Sequence, residues 1–230
     1  MNIDEKEINN FDSFAHEWWN KRGPYKLIHN LTPLRLKYIQ QHLDIKNSNI
    51  LDIGCGGGIL AEELTDKGAK VTGLDASEKT IQIAKSHAKE KNYTINYLNT
   101  SLEDHINKTK DEYDAIVCFE LIEHIPDQLK LIKDLSSICK KGGKVFLSTI
   151  NRNILSFAFA KIMAEYILNI VPEGTHQYKK FIKPSELAKM LELADLKIND
   201  IRGVKLNPIN YSFTFSSITK INYFMTATKK

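Results

Sequence analysis

Residues 50–58, Ile50-Leu51-Asp52-Ile53-Gly54-Cys55-Gly56-Gly57-Gly58, constrain the fold of this chain more than any other stretch. A short apolar run without alternation reads as a strand buried on both faces, and such strands belong to parallel sheets. Four glycines within the next five positions let the backbone turn tightly and let another group approach it closely. A helix then runs from about residue 59 to 67, with Gly68 as its C-terminal cap. The N-terminus of that helix, which favours negative charge, therefore stands at the carboxyl end of a first strand.

The unit repeats along the chain. Residues 70–74 read as a second strand, and Ser77 as the cap of a helix reaching about Lys91. Residues 95–98, 113–119 and 144–149 read as strands three to five, with a helix over 128–140. Another helix covers 184–193, and two late strands cover 197–204 and 221–228. Strand and helix alternating at this interval predict an α/β, Rossmann-like fold with a mostly parallel, seven-stranded sheet and helices on both faces. Residues 1–45 predict a helical N-terminal cap. Within it Phe11, Phe14, Trp18 and Trp19 recur at helical spacing, Gly23-Pro24 breaks the chain, and a second helix starts at Pro33 and runs to His42. Nothing in the 230 residues marks a linker, so one domain over 1–230 is expected.

Charge and cysteine usage exclude several classes. The 32 basic and 28 acidic residues leave a net charge of +4, too mild and too interleaved for a nucleic-acid surface. That balance suits a weak, salt-sensitive attraction to an anionic membrane. Cys55, Cys118 and Cys139 are odd in number and none sits at CxxC spacing, so neither a disulfide framework nor a zinc knuckle is expected. A reducing compartment follows. The N-terminal region carries Asp4, Glu5, Glu7 and Asp12 and no apolar core of a secretory signal. The expectation is a cytoplasmic protein, peripherally associated with the inner membrane at most.

Asp75 follows Gly54 by 21 residues, at the end of the second predicted strand. A carboxylate there accepts hydrogen bonds from both hydroxyls of a ribose, so loop and acid together predict a nucleoside ligand. A dinucleotide fingerprint counted from Gly54 would need a glycine where Ile59 stands, which disfavours a nicotinamide dehydrogenase. A nucleotide-binding regulatory module without catalysis stays open at this point. The form Asp52-x-Gly54-x-Gly56-x-Gly58 with Asp75 resembles the class I S-adenosylmethionine methyltransferases, as do Tyr113-Asp114 and Lys141-Gly142-Gly143 in their places. That resemblance implies a loop facing the methionine part of the cofactor, which carries no phosphate.

The flanks narrow the acceptor. Trp18-Trp19, Leu27-Ile28-His29, Pro33-Leu34-Arg35, Cys118 through His124, Ser148 through Asn153, Ala164 through Leu168, Gly174-Thr175-His176 and Lys179 through Pro184 form one series over nearly the whole chain. Together they are similar to the ubiquinone-biosynthesis O-methyltransferase family. The resemblance implies S-adenosylmethionine as methyl donor and a polyprenylated phenol as acceptor. The implied activities are methylation of a 2-polyprenyl-6-hydroxyphenol and of 3-demethylubiquinol, with other ubiquinone-biosynthesis proteins as conceivable partners. It implies Arg35, Gly54, Asp75 and Phe119 as cofactor contacts, with Gly56 in the same loop. Arg35 fits chemically, as a bidentate partner for the cofactor's carboxylate. Phe119 stands where the family often has methionine.

Methyl transfer to a phenol needs help, because a phenol with a pKa near ~10 is scarcely ionised at neutral pH. Glu120, Glu123 and His124 would share one side of a helix start after strand four. Two carboxylates and an imidazole suit Mg²⁺ or another divalent cation. The plainer alternative is that they cap the helix and brace its neighbours. Without a metal, His124 is the first choice of general base, with Glu120 beside it, and His176 the second. Residues 154–171 are apolar apart from Ser156, Lys161, Glu165 and Asn169. With Lys179, Lys180 and Lys183 behind them, the stretch 154–183 reads as a buried core helix or as a lid that touches the membrane holding the substrate. Its apolar part is short and charged for a transmembrane span.

Overall fold

A computed structural model describes residues 14–153, 156 and 180–230. The first half alternates helix α1 (Lys26–Gln40), strand β1 (Asn49–Ile53), α2 (Ile59–Asp66), β2 (Lys70–Asp75), α3 (Glu78–Glu90), β3 (Asn96–Asn99), α4 (Leu102–Lys108) and β4 (Tyr113–Phe119). Helix α5 (Gln128–Ile138) leads directly into β5 (Cys139–Ile150). Helix α6 (Pro184–Leu193) precedes β6 (Leu196–Leu206), β7 (Phe213–Ser216) and β8 (Asn222–Lys229). The strands form one sheet in the order β3-β2-β1-β4-β5-β8-β6-β7. Strands β1 to β5 pair in parallel, whereas β5–β8, β8–β6 and β6–β7 pair antiparallel.

Both parities of the central strands are apolar because both faces are covered. Ile50, Val71, Ala115 and Val117 pack on one side with Leu34, Tyr38 and Ile39 of α1, Leu64 of α2 and Ile81 of α3. Leu51, Ile53, Leu74, Ile116 and Cys118 pack on the other with Leu102 of α4, Leu131 and Leu135 of α5 and Leu187 and Leu191 of α6. Short polar caps start the helices: Ser77 Oγ accepts from Thr80 N at 3.0 Å, Ser101 Oγ from Asp104 N at 3.0 Å, and Asp127 Oδ1 from Lys130 N at 2.9 Å. Gly68, at φ +89°, ends α2 as expected. Sheet order reverses between β1 and β4, which opens a crevice at their carboxyl ends.

The sheet has eight strands rather than the expected seven. The extra one, β7, is a four-residue edge strand that only its pairing with β6 defines. Helix α4, with its Ser101 cap, was not anticipated, and β5 begins at Cys139, where a helix to Lys140 was expected. Helix α1 begins at Lys26, so Pro33 lies inside it rather than at its start. Proline there removes the donor that would meet the carbonyl of His29. The turn survives because Leu31, Thr32, Leu34, Arg35 and Leu36 around it are all buried. Ala15–Glu17 forms a single 3-10 turn in place of the expected N-terminal helix. The expected lid lies outside the described residues, apart from Ser156 and its flanks at 153 and 180–183. No helix among the described residues is long and apolar enough to cross a membrane.

Candidate active site

The crevice is built from three short segments that meet at the ends of β1, β2 and β4. After Ile53 the loop turns back on β2: Gly54 N and Cys55 N donate to Leu74 O at 2.8 and 3.0 Å. Gly56, at φ +54°, needs glycine twice over, since a Cβ there would also lie 2.5 Å from Cη2 of Trp18. Asp75 at the end of β2 grips the loop, accepting from Gly56 N and from Ser77 N, both at 2.9 Å. Its carboxylate is thereby aimed across the loop.

Arg35 comes from α1 and is buried. Its guanidinium lies 5.4 Å from the ring centre of Phe119, and that ring stacks on Phe224 at 5.4 Å. The charges that act on it are Glu120, Asp52 and Glu123. Burial lowers the Arg35 pKa and the three carboxylates oppose that shift; a guanidinium remains charged regardless. One cation cannot neutralise three acids, of which Asp52 and Glu123 are buried and Glu120 is partly exposed. Accordingly burial, only partly opposed by Arg35, pushes Asp52 up to about 7. Burial and the neighbouring Glu120 push Glu123 up to about 7 as well.

The acidic turn after β4 is held on the cofactor side of the sheet. Leu121 within it packs against the glycine loop, 3.2 Å from where a Cβ on Gly54 would be. Glu120 takes φ +53°, a strained value for a side chain other than glycine. Its backbone N donates to Ser148 Oγ at 3.0 Å, and Ser148 Oγ donates to its Oε1 at 2.7 Å. Thr149 Oγ1 donates to Glu123 Oε2 at 3.0 Å. Strand β5 therefore sets the direction of both carboxylates.

The expected α-helical start at this point is not formed. Residues Ile122–His124 make one 3-10 turn, so Glu120, Glu123 and His124 do not share a face by α-helical spacing. Among the described residues no three His, Cys, Asp or Glu side chains stand as a group able to hold a metal. The expected Glu120–Glu123–His124 set is therefore not gathered as a ligand group, and Ser148 and Thr149 each engage one oxygen of its two carboxylates. Of the other expected residues, Arg35 lies over the Phe119 ring at the end of β4, and Gly54 and Gly56 lie beside the end of β2, where Asp75 accepts from Gly56 N. His176 lies outside the described residues.

Sequence reasoning gave Asp52 no role beyond its place in the motif, and its burial beside Arg35 is visible only in three dimensions. It also read Trp18 as a helix residue. Trp18 in fact lies over Gly56 and Gly57, stacked on Tyr25. The available signal was the composition: both tryptophans of the chain are adjacent and precede the loop.

The parallel sheet, the glycine loop and the strand-two acid define a class I methyltransferase that uses S-adenosylmethionine. A profile of methyltransferase domains matches residues 34–200. The ubiquinone biosynthesis O-methyltransferase of Nitrosospira multiformis is 42% identical over 98% of this chain and 94% of its own length. That of Coxiella burnetii is 43% identical over 97% of this chain and 95% of its own. The chain belongs to the ubiquinone biosynthesis O-methyltransferase family. Among solved structures, a magnesium protoporphyrin IX methyltransferase from Synechocystis with S-adenosylmethionine bound shares the fold, with TM-score 0.67, 18% identity and coverage of 99% of this chain and 98% of that one.

Proposed function

We propose that this enzyme methylates phenolic oxygens of polyprenylated catechol and demethylubiquinol intermediates, using a general base on the turn after β4. The observation that carries this reading is the seating of that turn on the cofactor loop through Leu121 and Gly54. A base at Glu120 or His124 is thereby adjacent to the donor. Arg35, Gly54, Gly56, Asp75 and Phe119 hold the cofactor: Asp75 takes the ribose, the Phe119 ring packs the adenine, and Arg35 draws the carboxylate end.

In-line transfer breaks the sulfur–methyl bond and forms an oxygen–methyl bond, and the phenolic proton must leave. A positioned base contributes about 10²- to 10⁴-fold to such a step. Glu120 has a fixed direction and a strained backbone, features that suit a group held for proton transfer rather than for packing. Ser148 and Thr149 each engage one oxygen of Glu120 and Glu123, so a divalent cation here would have to be held by the other oxygen of each, and no step is assigned to one.

The acceptor dissolves in a bilayer, and so the enzyme must work at a membrane surface. The apolar residues 154–171 and the lysines after them are the part of the sequence suited to that contact. Vesicle binding that survives replacement of Phe157, Phe159 and Ile162 by polar residues would remove this part of the proposal.

The test of the chemistry is transfer of labelled methyl to a short-chain prenyl catechol, with and without EDTA. The expected result is transfer indifferent to EDTA, with Glu120→Gln lowering turnover about 100-fold while leaving affinity for S-adenosylhomocysteine unchanged. Transfer abolished by EDTA and restored by Mg²⁺ would overturn the metal-free base. Failure to methylate any prenylated phenol would overturn the acceptor.

A further inference from the structure

Both tryptophans of the chain touch the glycine loop. A loop rich in glycine is open to close approach, yet one side of this one is walled by an indole. A Cβ on Gly56 would lie 2.5 Å from Trp18 Cη2, and one on Gly57 would lie 2.7 Å from Trp18 Cβ and Cγ. Glycine at both positions is what lets the ring sit there.

The wall is anchored on several sides. Trp18 stacks on Tyr25 with ring centres 3.9 Å apart and planes 6° from parallel. Its carbonyl oxygen accepts from His29 Nε2 at 2.8 Å. The next residue, Trp19, donates from Nε1 to Gly57 O at 3.1 Å and stacks on His87 at 3.4 Å. His87 Nδ1 in turn donates to Glu62 at 2.8 Å. Five side chains from three segments thus fix one indole over the loop.

Trp18 Nε1 is buried, the residue being only 7% exposed, and it has no hydrogen-bond acceptor among the described residues. A buried indole N–H without a partner is costly, by about 1–3 kcal/mol, and buried tryptophans usually find one. Arg35 Nε is a second buried donor without an acceptor among the described residues. The Trp18 ring lies against Gly56 and Gly57 and the Arg35 guanidinium lies over Phe119, beside the acids Asp52, Glu120 and Glu123. The ligand of the crevice carries a single anionic group, the carboxylate of its methionine portion. Its ammonium and sulfonium cannot accept, and its other acceptors, on ribose and adenine, belong to the nucleoside end assigned above to Asp75 and Phe119.

We propose that Trp18 is a cofactor-binding residue: its ring walls the methionine end of S-adenosylmethionine over Gly56–Gly57, and its indole N–H donates to the cofactor's carboxylate. The assignment rests on the methyltransferase reading of the crevice. It makes residues 14–25 part of the site rather than a mere extension of the fold.

Two ligands separate this role from packing. S-adenosylhomocysteine carries the carboxylate; 5′-methylthioadenosine keeps the nucleoside and thioether and lacks the amino acid. Trp18→Phe keeps an aromatic ring against Tyr25 and removes the donor. Calorimetric titration should show about tenfold weaker binding of S-adenosylhomocysteine to the variant, with methylthioadenosine unchanged. Equal weakening of both ligands, or none of either, overturns the proposal. Should the variant fold poorly, the wild-type enzyme gives the same answer by ¹⁵N NMR. Of its two indole N–H signals, the one that persists in Trp19→Phe should move downfield with S-adenosylhomocysteine and stay put with methylthioadenosine. A signal that responds alike to both ligands overturns the assignment. Wild-type enzyme that binds neither ligand would instead overturn the methyltransferase reading beneath it.

Discussion

Replacing Asp52 by Asn should stabilise the cofactor-free enzyme at alkaline pH and not at acid pH. Asp52 is buried in β1, and its pKa stands at about 7 against an ordinary 3.8. Burial causes the rise, Arg35 opposes it, and Asp75 adds to it. The folded chain thus holds this proton more tightly than the unfolded chain does. Its contribution to stability is largest below the unfolded value, falls as pH rises, and levels off above the folded value. The loss runs at about 1.4 kcal/mol per pH unit, so between about pH 5 and pH 7 it reaches about 3 kcal/mol. Asparagine is isosteric, never ionises and escapes that loss. His29 and His105, both lowered chiefly by burial, act in the opposite sense, costing stability as pH falls through 6.5. The quantity to measure is therefore the difference between variant and wild type, in which the histidines cancel. Urea unfolding of both proteins at about pH 5, 6, 7 and 8 gives it directly. The gap should widen toward the variant by about 3 kcal/mol over this range. A gap that stays flat with pH would refute the reasoning, because it would mean that Asp52 ionises in the fold as easily as in the unfolded chain.

The same charge cluster predicts that Arg35→Met, which leaves Asp52, Glu120 and Glu123 without their cation, destabilises by about 3–5 kcal/mol at about pH 8 and by less at about pH 5; a pH-independent loss in urea unfolding would point to packing alone. Asp75→Ala should weaken S-adenosylhomocysteine binding about 10- to 100-fold by calorimetry, since the glycine loop loses its bond from Gly56 N, the following turn its bond from Ser77 N, and the ribose its acceptor; unchanged affinity would separate Asp75 from the cofactor. Gly203→Ala in β6 should lower the thermal midpoint sharply and cost about 2–4 kcal/mol, because the new Cβ would overlap the Ile218 carbonyl, a backbone atom that cannot rotate away; an unaltered midpoint would show that the 217–221 loop yields freely.

Local stereochemistry and short apolar runs are properties of a few neighbouring residues, and what they govern could be read from the sequence. The run 50–53, the glycines after it, the Ser77 cap, Gly68 and the proline start of α6 each describe their own surroundings, and each stands where expected. Asp75 was legible too, because strand length alone carries it to the crevice. Interactions between distant segments were not legible. The interior position of Pro33 is tolerated only because the helix around it is buried, and propensity gives no sign of that. Strand β7 exists through its ladder to β6, and the turn at Glu120 takes a left-handed backbone that Ser148 and Thr149 of β5 stabilise across the sheet. Above all, Arg35 of α1 meets the acids of β1 and of the turn after β4, and an indole from the N-terminal segment lies on the glycine loop. The sequence by itself determined the fold class, the cofactor loop and the residue types available for chemistry, since these follow from local geometry. Only the tertiary structure decided which acids share Arg35, how far Asp52 and Glu123 are pushed from their ordinary pKa, and what walls the cofactor, because burial and Coulomb energy depend on distances that residue order does not contain.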